Sequence, residues 1–345
     1  MKVLLLGDAL GNSGPSNVHK EFLNHWPDED EIDFVRAQDK AGFIREGLAK
    51  GRKADVILSP LLNFAMICTQ DALHIMGKPV VCFNHGYVAF ENKINHLGHS
   101  QWWVNRYKAA LCSADLVVAN SGLQERFVLG HQPELEGRTA HIMLGVDRFE
   151  QEEPHPLEGE PTVCVSGGSR DIKGNDVVAR ALALLRGRGI SCRLDVYGKV
   201  DAEMPFLDAL PKGDVARVLG QVSHDRFLEG LNRSSLFVMN SRHEPFGLSA
   251  LDALRAGCSV LISKDSGVLE ALSPKGSDVV ENCEDTEEVA DKMAYLLEHP
   301  NARRLYETID FDELSWDVQT RRLREMCAGV VGADFRKESD RIANE

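Results

Sequence analysis

The stretch "SRHEPFGLSALDALRAGCSVLIS", starting at Ser241, sets two carboxylates, Glu244 and Asp252, eight residues apart around a Pro-Phe-Gly turn. A helix used only for packing needs neither. The apolar run "LFVMNS" overlaps its start, "CSVLIS" ends it, and Leu248, Leu251 and Leu254 fall three apart between the two runs. That pattern predicts strand, turn, amphipathic helix, strand. Glu244 is then expected at the carboxyl end of a strand, where open α/β sheets bind ligands. Gly247 and the residues after it open the helix, so their free backbone N–H groups suit an anion such as a diphosphate. A carboxylate beside phosphate has to point elsewhere, toward sugar hydroxyls. The plainer alternative makes Glu244 a helix cap and Asp252 a solvated charge.

Three further loops carry residues with chemistry. In "SGGSRDIKGND", residues 166–176, Gly167 and Gly168 permit close backbone approach and Ser169 offers a hydroxyl. Arg170 and Lys173 place positive charge where phosphate could bind, ahead of a helix expected from Asn175. The P-loop spacing is absent, and an ordinary strand-to-helix turn with two surface cations fits equally. In "GDALGNSGPSNVHKEF" the glycines at 7, 11 and 14 do not form G-x-G-x-x-G, which disfavours a nicotinamide dinucleotide. Gly14 and its neighbours still let the loop bend around a ligand; a flexible loop before a helix capped by Ser16 is the alternative. "FNHGY" puts His85 at a carboxyl strand end, either facing a ligand or merely structural. Trp102, Trp103 and Tyr107 share one helix, as core packing or as the wall of an acceptor site. No D-x-D pair stands at a strand end to hold a metal, and no G-x-S-x-G elbow occurs.

Alternating strands and helices must position these loops. The strands "DVILSP", "PVVCFNHG", "TVCVSGG" and "CSVLIS" are nearly continuous apolar runs, as in parallel sheets covered on both faces. A chain of 345 residues can fill two cores. The acidic, proline-rich "FEQEEPHPLEGEP" reads as an exposed linker. The expected fold is α/β, with two Rossmann-like domains facing across a cleft: residues 1–150 and 151–314, with a helix over about 315–332 packing back on the first. The polar tail from Ala333 is expected to fray. A net charge of −14 argues against nucleic acid as a partner. Eight cysteines without C-x-x-C spacing read as reduced cytosolic thiols. "MKVLLLGD" is a strand, not a signal peptide, and no apolar run reaches transmembrane length.

Together these residues resemble the retaining GT-B glycosyltransferases, in particular glycosyltransferase family 4. "HEPFGLSALDALRAGCSVLIS" is similar to the family's E-x7-E segment, "SGGSRDIKG" to its phosphate loop, "IMLGVDRF" to its N-G-V-D segment and "SWDV" to its crossing helix. The resemblance implies that Arg170 and Lys173 bind the diphosphate of a nucleotide-sugar donor. Glu244 would contact the transferred sugar, Phe246, Gly247 and Leu248 would lie by the phosphates, Asp252 would hold the ribose, and His85 would line the sugar site. It also implies a nucleoside-diphosphate sugar as substrate, no cofactor and no catalytic metal. The acceptor would be a saccharide, a glycolipid or a small molecule. The implied location is the cytoplasm, with peripheral contact at the inner membrane face for a lipid-linked acceptor. A catalytically silent scaffold that binds sugar or nucleotide and a nucleotide-sugar epimerase are the competing classes. Three departures stand out: Asp252 replaces the second Glu, Arg170 and Lys173 lie closer together than in many members, and Leu144 replaces Asn before Gly145-Val146-Asp147.

Overall fold

The computed structural model describes residues 1–11, 13–155, 159–201, 206–210 and 215–342, of which 206–207 and 333–342 are described by their backbone. The chain forms two compact units, Met1–Lys93, Leu97–Asp147 and Phe311–Glu345 in one, Ile94–His96 and Arg148–Asp310 in the other.

The first unit alternates β1 (Lys2–Leu5), α1 (Gly14–Asn24), β2 (Glu31–Phe34), α2 (Lys40–Gly51), β3 (Val56–Ser59), α3 (Phe64–Ile75), β4 (Val80–Asn84), α4 (Val88–Ile94), α5 (Gln101–Ser113), β5 (Leu116–Ala119), α6 (Gly122–His131) and β6 (Thr139–His141). The strands pair in parallel in the order β2-β1-β3-β4-β5-β6. β3 and β4 are buried along their whole length, as their unbroken apolar sequence requires.

The second unit holds β7 (Thr162–Val165), α7 (Asn175–Gly187), β8 (Arg193–Tyr197), α8 (Phe206–Ala209), β9 (Ala216–Gly220), α9 (His224–Asn232), β10 (Leu236–Met239), α10 (Leu248–Arg255), β11 (Ser259–Ser263), β12 (Val279–Val280), α11 (Thr286–Glu298) and α12 (Ala302–Tyr306). Its parallel sheet runs β12-β11-β10-β7-β8-β9. β7 therefore lies beside β10, Val163 against Leu236 and Cys164 against Phe237. The loops that leave these two strands emerge side by side, although more than 60 residues separate them in sequence.

The last helix, α13 (Trp316–Ile342), belongs to the first unit. The Trp316 ring stands edge-on to Phe22 at 6.1 Å, Arg324 Nε lies 2.5 Å from Asp30 Oδ2, and His25 Nδ1 lies 2.8 Å from Asp317 Oδ1. The tail expected to fray continues this helix to Ile342, and residues 343–345 lie outside the described residues. The expected linker is also more fixed than its composition implies. Glu152 N–H donates to Arg255 O at 2.8 Å, and His155 N–H to Asn232 O at 2.9 Å, so its backbone is bonded along the second unit; residues 156–158 fall outside the described residues. Among the described residues no helix is long and apolar enough to cross a membrane.

Candidate active site

Glu244 follows the carboxyl end of β10 and is tied down by its backbone. Its N–H donates to Asp265 O at 2.8 Å, and its carbonyl accepts from Gly267 N–H at 2.9 Å. Two residues on, the Phe246 carbonyl accepts from Val268 N–H at 2.7 Å and its ring is buried. Gly247 then turns with φ +108°, and a Cβ there would sit 2.8 Å from Met239 Sδ, so both conformation and space demand glycine. α10 starts at Leu248 with no side chain capping it. Glu244 is thus not the cap that the plainer sequence reading allowed. Its carboxylate pairs with the Lys173 ammonium from the loop after β7, and Ser241 Oγ donates to it at 3.4 Å. Burial pushes the Glu244 carboxyl up. The charge and hydrogen bond of Lys173, then the charges of Arg170 and His243, outweigh this and hold it below the usual carboxylate range.

The Lys173 loop works differently from its sequence-level expectation. Gly168 N–H and Ser169 N–H are committed to Tyr197 O at 2.8 Å and Lys199 O at 3.1 Å. A Cβ on Gly168 would lie 1.8 Å from Lys199 O, so the close approach that glycine permits there is to the protein's own backbone. Ser169 is only 4% exposed, and its Oγ accepts from Asp201 N–H at 2.9 Å. These two residues shape the loop, and its outward chemistry is left to side chains. Arg170 is exposed, with Nε 3.4 Å from Gly167 O, and Lys173 is turned to Glu244.

Two residues that the sequence did not single out hold this loop. Asn175 Nδ2 donates to Ser166 O at 3.0 Å and Gly168 O at 2.7 Å. Arg242, three residues past the end of β10, donates to the Asp171 carbonyl, pairs with Asp176 at 3.1 Å and bonds Glu284 at 2.5 Å. It binds the β7 loop to the β10 loop and so fixes where Lys173 meets Glu244. Its position two residues before Glu244 was the only signal available in the sequence.

Asp252 lies on the second turn of α10, and its Oδ1 is 3.2 Å from His224 Nε2 of α9. Hydrogen bonding to Asp252 raises the His224 pKa above its ordinary value, against a smaller opposing effect of burial. Asp252 is therefore not a lone solvated charge, and His224 is its unforeseen partner.

In the first unit, His85 follows β4 and meets a second histidine. His19 Nε2 and His85 Nε2 are 3.0 Å apart, and His19 Nδ1 is 2.9 Å from Asp8 O. A carbonyl only accepts, so His19 carries its proton on Nδ1. Burial pushes the His19 pKa down to about 4, and burial with the neighbouring His19 pushes that of His85 well down, so both rings are neutral near pH 7. His19 Nε2 then accepts from His85 Nε2–H, and His85 Nδ1 is left as an acceptor. Gly7 makes room for this pair, since a Cβ there would lie 2.6 Å from the His19 ring. Gly14, by contrast, is the first residue of α1, and a Cβ on it would meet nothing within 4 Å. The helix is capped by Ser13, not Ser16: Ser13 Oγ accepts from Ser16 N–H at 3.2 Å, while Ser16 Oγ donates to Asp8 Oδ2 at 3.0 Å. Of the aromatic trio on α5, Tyr107 is core, with its hydroxyl 3.1 Å from Gly86 O, whereas Trp102 is 63% exposed. Among the described residues no three His, Cys, Asp or Glu side chains group as a metal site.

The segment carrying Lys173, Glu244 and Asp252 has known relatives. Residues 147–308 match the family described as Glycosyl transferases group 1. Over these residues the chain is similar to that family. Glycogen synthase of Mycobacterium tuberculosis is 30% identical over 120 residues, 34% of this chain and 29% of that protein, so the chain spans under a third of this relative. Among solved structures, sucrose-phosphate synthase of Thermosynechococcus elongatus superposes with a TM-score of 0.75 at 16% identity, covering 96% of this chain and 100% of that one. Anabaena HepE, solved with UDP and glucose, gives 0.72 at 15% identity over 95% and 99%. At such identities the structures establish the GT-B fold of two Rossmann-like domains.

Proposed function

We propose that this chain is a retaining glycosyltransferase of family 4, moving a hexosyl group from a nucleoside-diphosphate sugar to a saccharide, glycolipid or small-molecule acceptor. The observation that carries this reading is the Lys173–Glu244 pair at the carboxyl ends of β7 and β10, beside the uncapped start of α10. An ammonium has three donors, and Glu244 engages one, so Lys173 can hold the sugar-side carboxylate and a diphosphate together. Arg170 adds a second cation, and the first N–H groups of α10 add more positive potential. HepE, with UDP and glucose bound, supports a donor of this class.

In front-face transfer the acceptor oxygen bonds to C1 as the C1–O bond to the diphosphate breaks, and the acceptor proton passes to the leaving phosphate oxygen. The negative charge grows on the diphosphate, so Lys173 and Arg170 act where stabilisation lowers the barrier. In the first unit, His85 Nδ1 offers an acceptor to a substrate hydroxyl.

The test is incubation with UDP- and GDP-glucose, followed by NMR of the sugar released or transferred. An α-linked donor is expected to give α product first, and activity is expected to survive EDTA because side chains supply the positive charge. Initial β product overturns retention; loss in EDTA restored by magnesium or manganese overturns the cation assignment. A narrower expectation concerns Asp252. As the residue holding ribose, Asp252→Ala should raise donor KM more than it lowers kcat, and steady-state kinetics showing an unchanged donor KM would remove that role.

A further inference from the structure

A cavity of about 530 Å³ opens in the first unit among the loops that leave β2, β3 and β4. These are carboxyl strand ends, where open α/β sheets take ligands. Its apolar side carries Phe64 and Trp103, whose rings lie 6.1 Å apart, and exposed Trp102 stands 5.8 Å from Phe64. Its polar side carries Gln38, Lys40, Asn63 and His99.

Local constraints fix this lining. Leu61, buried just ahead of the Phe64 wall, has φ +53°, a left-handed backbone that a branched non-glycine residue rarely adopts. Such strain persists where surrounding structure holds it, often at binding sites. Asn63 Oδ1 caps α3 by accepting from Met66 N–H at 3.1 Å, and Gln38 Nε2 donates to Arg36 O at 3.1 Å. The His99 backbone is held from both sides by Asn92, at 2.8 Å and 3.2 Å.

We propose that this cavity binds a pyranose ring of a saccharide, stacked on Trp103 and Phe64 with its hydroxyls on Gln38, Asn63 and Lys40. A pyranose has two unlike surfaces. Its C–H face suits the negative face of an aromatic ring, and its hydroxyl rim both donates and accepts. Asn63, with its oxygen spent on the cap, presents N–H; Gln38, with one N–H spent on Arg36, presents its oxygen. An acyl chain in the same space would offer the free amide groups and the ammonium no hydrogen bond in place of the water it displaces. The site would serve the acceptor, and this assignment rests on the transferase reading above.

The test uses the full chain without donor, so that it stands apart from turnover. Saturation-transfer NMR is run with methyl α-glucopyranoside, methyl α-mannopyranoside, methyl β-galactopyranoside and maltose, and separately with 1-octanol. At least one saccharide is expected to be saturated, most strongly on the protons of one C–H face. Trp103→Ala and Phe64→Ala should each weaken it about tenfold. Gln38→Ala, at an exposed position, should weaken it as well and keeps the test if the aromatic variants fail to fold. No saturated saccharide, equal binding by all variants, or binding of octanol alone would each overturn the proposal. A wild-type protein that binds saccharide yet never consumes donor would overturn the transferase reading and leave the pyranose site standing.

Discussion

Lys173→Ala is expected to cut kcat/KM by at least two orders of magnitude, since losing one cation from a charge that develops in the transition state costs about 3 kcal/mol or more. The same substitution should also weaken the fold, for a separate reason. Glu244 is largely buried and held ionised chiefly by Lys173. Removing one partner of a buried pair leaves an uncompensated charge, at about 3–5 kcal/mol, with Arg170 offsetting part of that here. The two effects are separable. In Lys173→Ala/Glu244→Gln the stranded charge is gone, so urea unfolding should return most of the way to wild type while turnover stays low. Turnover that recovers along with stability would reduce Lys173 to a structural role, as would unchanged kinetics in the single variant.

The segments that meet at this pair were legible because each is local. Apolar runs marked β7 and β10, and the Pro-Phe-Gly turn marked the start of α10. The resemblance implied that Lys173 and Glu244 both meet one donor, but their direct pairing was not legible, because it comes from strand order. Lys173 and Glu244 are 71 residues apart and meet only because β7 lies next to β10 in the sheet. The same limit hid Arg242, 66 residues from its partner Asp176, and His19, 66 residues from His85. Glycines show the limit in another form. A glycine-rich loop was visible in the sequence, but which glycine is required depends on what each absent Cβ would strike. Gly7 faces the His19 ring and Gly168 faces a carbonyl, while Gly14 faces open space. Exposure on α5 was likewise not legible: core packing and an acceptor-site wall both fitted its aromatics, and only the fold shows that Tyr107 turns into the core while Trp102 stays exposed.

The second large effect is expected from acid. His19 is fully buried, and its pKa is about 4 against an ordinary value of 6.5. The unfolded chain therefore binds more protons than the folded one between these values. Stability is complete above pH 6.5 and is lost as pH falls toward 4, because protonation favours the unfolded state. A difference of about 2.5 in pKa, at 1.36 kcal/mol each, amounts to about 3 kcal/mol by the bottom of that window, and His85, depressed for the same reason, adds in the same direction. The carboxylates whose pKa values are lowered by partners, Asp30, Asp278 and Glu244 among them, act in acid as well, but mainly below their ordinary values near 4. His224 runs the other way: its raised pKa gives stability that is present below pH 6.5 and lost as pH rises through the folded value. It is more exposed than the buried pair, so its share is small. Urea midpoints measured from pH 7.5 to 4.5 should fall steadily for the wild type. His19→Gln cannot take up a proton, yet its amide can still donate to Asp8 O, so its midpoints should fall less over the same range. A flat wild-type profile, or an equal slope in His19→Gln, would show that the two rings are not held neutral by burial, and the proton assignment that leaves His85 Nδ1 as an acceptor would fall with it.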